Sequence, residues 1–265
     1  MLYIKKKIFH IIGFEKINKI KNFIINLYTF FYFRKLFYDL NEDLKYNEKI
    51  IDKIGLNRST IKKRLKFKKL NYLDPNLSWH YHIFSGFKNS KKYILEIGTY
   101  EGEFTNFVSN IFPKSKIISI DLKKNDDDFI SSYNRSSKNN FKQHIKIRQK
   151  NLNKKNIFFY ELNSFNLLDR FKNKKFDIIW VDGNHINPQV SFDILSSIKL
   201  LKKNGILLCD DVIKDKIQNA LVSNESFKTL EYLSKIKVLK NNYLIKRINK
   251  KNCKLKKYIS FSIKT

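Results

Sequence analysis

Short apolar runs alternate with amphipathic stretches along this chain, most regularly after residue 90. Tyr93, Ile94 and Leu95 form one run, Gly98 and Gly102 punctuate it, and Phe104, Phe107, Val108 and Ile111 then recur at helical spacing until Pro113. This predicts a buried strand, a glycine turn and a helix. Ile117, Ile118 and Ile120 form a second strand ending on Asp121; residues 157–160 form a third, followed by Asn163 and Ser164. Residues 177–181 form a fourth that delivers Asp182, and residues 205–209 a fifth that delivers Asp210 and Asp211. Helices are predicted at 166–171, 186–201 and 227–233. The polar stretch 125–156, anchored by Phe129, Ile130, Tyr133, Phe141, Ile145 and Ile147, reads as one or two exposed helices. Residues 236–239, 243–248 and 258–263 read as strands of an antiparallel edge, with Asn241 and Asn242 as a turn.

Before residue 75 the pattern is looser. Ile8, Ile11 and Ile12, then Phe23, Ile24, Leu27, Phe30 and Phe31, lie at amphipathic-helix spacing among lysines. Asn57, Arg58, Ser59 and Thr60 offer a cap for a helix through Ile61 and Leu65, and Asp74, Pro75 and Asn76 break the chain. The expected fold is α/β: a Rossmann-like, doubly wound, mostly parallel sheet with an antiparallel edge over 75–265, and an N-terminal helical extension over 1–74. Two uses of the first helices compete. They dock on the main domain or on a second subunit of a homo-oligomer, or they make a peripheral membrane contact through a lysine-bearing face.

Strand and helix alternate so that Gly98, Asp121, Ser164, Asp182, Asp210 and Asp211 all fall at strand carboxyl ends, where open parallel sheets bind ligands. A helix N-terminus has unpaired N–H groups, glycines let a ligand approach the backbone, and a carboxylate accepts both ribose hydroxyls. That layout suits a nucleoside. The spacing of Glu96, Gly98 and Gly102 departs from both the dinucleotide and the triphosphate-loop patterns, and no lysine follows Gly102.

The stretch ILEIGTYEGEFT resembles the first motif of class I S-adenosylmethionine-dependent methyltransferases. The resemblance implies that Glu96, Gly98, Thr99, Tyr100, Gly102 and Asp121 bind S-adenosyl-L-methionine and that Ser164 contacts adenine; a serine there also serves as a helix cap. FDIIWVDGNH, followed by LLKKNGILLCDDV, is similar to the metal-bearing segments of the catechol O-methyltransferase group and of sugar O-methyltransferases of the macrocin O-methyltransferase type. It would make Asp182, Asp210 and Asp211 ligands of Mg²⁺ or another divalent cation, and would make His185, with Asp182, catalytic where the catechol enzymes carry a lysine. The other reading of these acids is a strand end and a helix cap without metal, with His185 a turn residue. A histidine base and Asn204 in place of a glycine depart from the pattern, and the histidine suits a sugar or secondary-metabolite hydroxyl better than a catechol. Trp79, His80 and His82, just upstream, either line the acceptor pocket or place a tryptophan in the core and histidines on the surface. The resemblance spans roughly 94–212.

Composition changes this picture little. Lys+Arg 54 against Asp+Glu 24 gives a net charge of +30, but the excess is spread along the chain with the Ile, Asn, Phe and Tyr expected of an AT-rich genome. Lysine far outnumbers arginine, the residue that base readout and bidentate phosphate clamps favour. No specific nucleic acid is therefore expected as partner, and the acceptor is expected to be a small molecule or glycan. The rival readings are a nucleic-acid methyltransferase, motivated by the charge, and a non-catalytic binding or assembly protein that retains the fold. Cys209 and Cys253 form no disulfide or zinc framework. The apolar run 23–33 is interrupted by Asn26 and is shorter than the roughly 20 residues of a membrane span. A cytoplasmic setting is expected, with membrane association through the first helices as the open variant.

Overall fold

The structure, a computed structural model, describes residues 40–132, 135–214, 224–248 and 256–265. The helices expected around residues 8–31, together with Tyr133 and Cys253, lie outside these. Three helices precede the sheet: α1 (Leu40–Lys53), α2 (Arg58–Phe67) and α3 (His80–Gly86). Strand β1 (Tyr93–Ile97), helix α4 (Glu103–Ile111) and strand β2 (Lys116–Asp121) follow. The polar stretch holds α5 (Asp127–Ser131) and α6 (Lys138–Leu152), then come β3 (Ile157–Glu161) and α7 (Leu167–Phe171). Strand β4 (Phe176–Val181), helix α8 (Gln189–Leu200), strand β5 (Leu201–Ile213), helix α9 (Glu225–Lys235) and the hairpin strands β6 (Leu239–Ile245) and β7 (Lys257–Lys264) complete the order.

The seven strands form one sheet in the order β3-β2-β1-β4-β5-β7-β6. β1 to β5 pair in parallel, and β7 runs antiparallel to β5 and β6. The expected α/β architecture with its antiparallel edge is present. Period-two alternation makes two cores. Ile94, Ile117, Ile178, Trp180, Leu208 and Phe261 face one side, where α1 to α4 contribute Ile51, Leu65, Phe84 and Phe107. Leu95, Ile118, Ile179, Val181 and Leu207 face the other, against Phe171, Ile194 and Leu230. Asn57 caps α2 by accepting the Thr60 N–H at 2.8 Å, as its sequence predicts.

Three local expectations change. Asn241 and Asn242 do not turn the chain; they lie within β6, opposite Ser262 and Phe261. Asn241 Nδ2 donates to the Leu230 carbonyl at 2.8 Å, so its amide ties the strand to α9. Residues 236–238 precede β6 and accompany the end of α9. Residues 80–86, expected to run directly into the first strand, form α3, with Ile83 and Phe84 fully buried. Among the described residues, no helix is long and apolar enough to cross a membrane.

An edge strand leaves unpaired N–H and C=O groups. On β6 they are taken up by α1. Buried Asn47 donates from Nδ2 to the Ile245 carbonyl at 2.9 Å and accepts the Ile245 N–H at 2.7 Å, while the Tyr46 hydroxyl donates to the Tyr243 carbonyl at 2.9 Å. Asn47→Ala leaves two buried backbone groups unpaired, and is expected to cost about 2–4 kcal/mol. Urea unfolding should show a lowered midpoint with unchanged slope, while exposed Lys45→Ala should move it by less than about 0.5 kcal/mol.

Candidate active site

The strand order reverses between β1 and β4, and a cleft of about 660 Å³ opens at the carboxyl ends beside that crossover. Gly98 lies at its floor with φ +94°, and a Cβ there would stand 2.2 Å from the Asp182 carbonyl oxygen. The glycine is therefore required by the approach of β4 to β1, where Asp182 N–H donates to the Ile97 carbonyl at 2.8 Å. Asp121 lines the cleft from the end of β2. Its Oδ2 accepts the Tyr100 N–H at 2.9 Å and its Oδ1 the Leu122 N–H at 2.8 Å, leaving lone pairs on both oxygens. Arg148, buried on α6, approaches Asp121 and Glu161 at 3.7 Å each.

Ser164 also lines the cleft but caps no helix; Asn163 does, by accepting the Phe165 N–H at 3.0 Å. The Ser164 hydroxyl accepts from Gln189, whose amide also reaches Asp193 Oδ1 at 3.3 Å. Asp193 is fully buried, lines the cleft, and its Oδ2 has no hydrogen-bond partner; burial pushes its carboxyl up to about 6. A carboxylate on one wall and an orphaned acceptor on the other fit a nucleoside, whose ribose and base offer donors to both.

Asp182, Asp210 and Asp211 meet at the adjoining rim. Neighbouring residues in a strand point to opposite faces, yet both Asp210 and Asp211 reach one partner. The register of β5 against β7 shifts between Cys209 and Val212, and Asp211 takes φ +49°. This bulge turns both carboxylates towards Lys246, which follows β6. Lys246 Nζ stands 2.5 Å from Asp210 Oδ2 and 2.6 Å from Asp211 Oδ1, and Lys257 Nζ stands 2.5 Å from Asp211 Oδ2. Burial raises the Asp211 carboxyl, but the two lysines outweigh it and hold it at about 2. Burial, then the Asp210 charge, pushes Asp182 well above the usual carboxylate range.

His185 lines the cleft next to these acids, with Nε2 3.7 Å from Asp182 and 4.0 Å from Asp211. Burial lowers its pKa, although Asp211 and Asp210 pull the other way, so the neutral imidazole is favoured. The expected divalent cation does not fit the three acids as they stand. A buried ammonium already bridges Asp210 and Asp211, and both oxygens of Asp211 are engaged. Among the described residues, no three His, Cys, Asp or Glu side chains are arranged to hold a metal ion.

Gly98, Tyr100, Asp121, Ser164, Asp182, His185 and Asp211 thus share the cleft, and Asp210 lies buried beneath Asp211's side of it. Other expected contacts lie elsewhere. Thr99 is buried against Ser119 at 2.6 Å, and Gly102 opens α4 at φ +73°, where a Cβ would meet Leu152 at 2.8 Å. Trp79, His80 and His82 are all buried beneath the sheet, outside the cleft; Trp79 stacks on His82 at 4.2 Å, and His80 pairs with Ser78 at 2.9 Å. Each imidazole pairs through one ring nitrogen, while the Trp79 indole N–H and the other ring nitrogens have no partner, so ring packing holds this cluster in the core. Lys246, Arg148, Gln189 and Asp193 escape sequence reasoning because single polar residues on amphipathic segments give no positional signal.

Residues 95–212 match a family whose description is "Methyltransferase domain". This stretch of the chain is a methyltransferase domain. It runs from β1 to the bulge of β5 and contains most of the cleft, and the class I S-adenosylmethionine-dependent methyltransferase expected from the first motif holds for it. Among solved structures, the chain is similar to a Staphylococcus aureus protein described as a caffeoyl-CoA O-methyltransferase, at 17% identity over 86% of this chain and 100% of that one, with a TM-score of 0.51. It is also similar to cofactor-bound Rv0187 from MTB, at 14% identity over 84% and 89% of the two chains, with a TM-score of 0.50. At such identities the likeness is one of fold. None of the curated protein sequences matches the chain.

Glu96, expected beside the cofactor, is instead in the core of the methyltransferase sheet. Its Oε2 accepts from Ser119 at 2.5 Å and from Thr105. Burial raises its carboxyl to about 7, against the lowering effect of those hydroxyls. A raised folded pKa means that the native state keeps a proton that the unfolded chain releases, so stability falls as pH rises from 4.5 to about 7 and then levels. Glu96→Gln should remove that slope, worth about 3 kcal/mol at most. Denaturant midpoints at pH 5 and pH 8 for both chains check it; parallel slopes would show Glu96 ionised in the fold.

Proposed function

We propose that this methyltransferase domain methylates a hydroxyl oxygen of a small molecule or sugar, with His185 as the base. The observation that carries the reading is the placement of a neutral-leaning imidazole on the same cleft as Asp121, with the Asp182 and Asp211 carboxylates 3.7 and 4.0 Å away. S-Adenosylmethionine, when bound, supplies a methyl group on a sulfonium; the methyl carbon leaves sulfur as a thioether and bonds to the acceptor oxygen.

Gly98 and Asp121 would seat the nucleoside half, Asp121 accepting from the ribose hydroxyls, with the Ser164, Gln189 and Asp193 wall at the base. An alcohol loses its proton as the new C–O bond forms, and an imidazole within reach takes it. His185 Nε2 receives that proton, and ionised Asp211, 4.0 Å away, steadies the resulting imidazolium. The divalent cation of the resembling enzymes has no part in this reading, because Lys246 engages the acids it would need. The cleft, about 660 Å³ and shared with the cofactor, suits an acceptor of metabolite or monosaccharide size. Docking of the first helices on a second subunit, or on a membrane, stays outside the proposal.

Two experiments test the reading. Isothermal titration with S-adenosylmethionine should give one site per chain, weakened at least about tenfold by Asp121→Ala, which removes two ribose hydrogen bonds; no binding to the unmodified chain would overturn it. Against a panel of sugars and hydroxylated metabolites, His185→Ala should lower kcat by about 10²–10⁴ while cofactor binding persists. Because the base acts deprotonated and its pKa is lowered, kcat/KM should rise with pH through an acid limb below 6.5 and then level. An acid limb that survives His185→Ala would assign the base elsewhere.

A further inference from the structure

The acids that the resemblance assigns to a metal are bridged by a lysine, and the surroundings of that lysine hold it in place. Its backbone is held on both sides: Lys246 N–H donates to the Lys257 carbonyl at 2.9 Å, and its own carbonyl accepts the Trp79 N–H at 2.9 Å. The preceding residue, Ile245, is the one clamped by Asn47. The ammonium is largely sequestered, with 12% of the side chain exposed, against Asp210 at 3%. From the geometry we infer that Lys246 is the resident cation of this site: its ammonium stands between Asp210 and Asp211 where a divalent metal would sit, and the site works without one.

Charge and coordination both support the assignment. Asp210 and Asp211 carry two negative charges, and Lys246 and Lys257 supply two positive ones at 2.5 to 2.6 Å. The remaining acid, Asp182, stands 3.7 Å from His185 and does not share either ammonium at salt-bridge distance. A divalent ion would bring two further positive charges onto a pair of acids that the two lysines already answer. Mg²⁺ also needs close to octahedral oxygen donors at about 2.0–2.1 Å, whereas both Asp211 oxygens already accept from ammonium groups. Only Asp210 Oδ1, buried and without a partner, and Asp182 would be left.

Lys246 cannot act as a Lewis acid on the acceptor. It is a positioning residue: by pairing with Asp211, 4.0 Å from His185, it fixes the carboxylate against which the imidazolium forms. The segment around Trp79, expected to touch the acceptor, acts on the site through the Lys246 backbone instead.

The inference rests on the acidic rim being the reacting half of the methyltransferase site, but its test does not depend on turnover. The full-length chain and Lys246→Met are titrated with Mn²⁺, and free and bound ion are followed by electron paramagnetic resonance. Lys246→Met should bind Mn²⁺ at least about tenfold more tightly than the unmodified chain, because the acids lose their internal cation. Equal affinities would overturn the inference. If Lys246→Met does not fold, the unmodified chain and Asp182→Asn decide: one Mn²⁺ per chain that is lost in Asp182→Asn overturns it, and no Asp182-dependent uptake supports it. Failure of the cofactor titration with these Mn²⁺ results intact would count against the proposed function alone.

Discussion

Carboxylates gathered at the ends of two buried strands have to be neutralised before they can be placed there, since an unpaired buried charge costs several kcal/mol. In this fold the bulge in β5 brings Asp210 and Asp211 together, and one ammonium from the neighbouring hairpin answers both. Much of the molecule serves that contact. The β6–β7 hairpin presents Lys246 and Lys257, α1 fixes the strand next to Lys246 through Asn47, and the turn into α3 receives its carbonyl. The helices before the sheet are thereby coupled to the chemistry at its rim without touching the cleft.

The parallel half of the sheet and the glycine-turn side of the cleft were legible in the chain. Apolar runs ending in Gly98, Asp121, Asp182 and Asp210 mark strands whose carboxyl ends must share one edge, and the strand order confirms it. The antiparallel edge was legible as a class but not in its register. Asn241 and Asn242 have the composition of a turn, yet pairing with β7 and the amide bond from Asn241 to Leu230 override that local preference. A two-residue preference of this kind is weaker than a ladder of strand hydrogen bonds along a half-buried strand.

What was not legible depends on contacts distant in sequence. Lys246 is one lysine in a chain dense with them, and only the bulge at Asp211 and the hairpin place it 35 residues away from its partner in space-filling contact. Glycine motifs carry the opposite ambiguity. Gly98 reads as an access point for a ligand, and the structure shows a second demand on the same residue, because the Asp182 carbonyl occupies the room a side chain would need. Gly102 likewise answers to Leu152 on α6. A glycine in this motif is thus fixed by strand and helix packing before any cofactor is considered.

The site's electrostatics then follow from which acid is compensated and which is not. Asp211, between two lysines, stays ionised to low pH, while fully buried Asp193 and part-exposed Asp182, without such partners, are pushed upward. His185 sits where these tendencies meet, close to one acid held anionic and one inclined to keep its proton. An imidazole there gains a counter-ion only on the Asp211 side, so the proton it accepts is stabilised without first having to ionise Asp182. The same asymmetry would be lost if a metal replaced the lysine, since a doubly charged ion beside the imidazole would oppose its protonation. The proposed histidine base and the inferred lysine cation are therefore mutually consistent, each making the other workable on one rim.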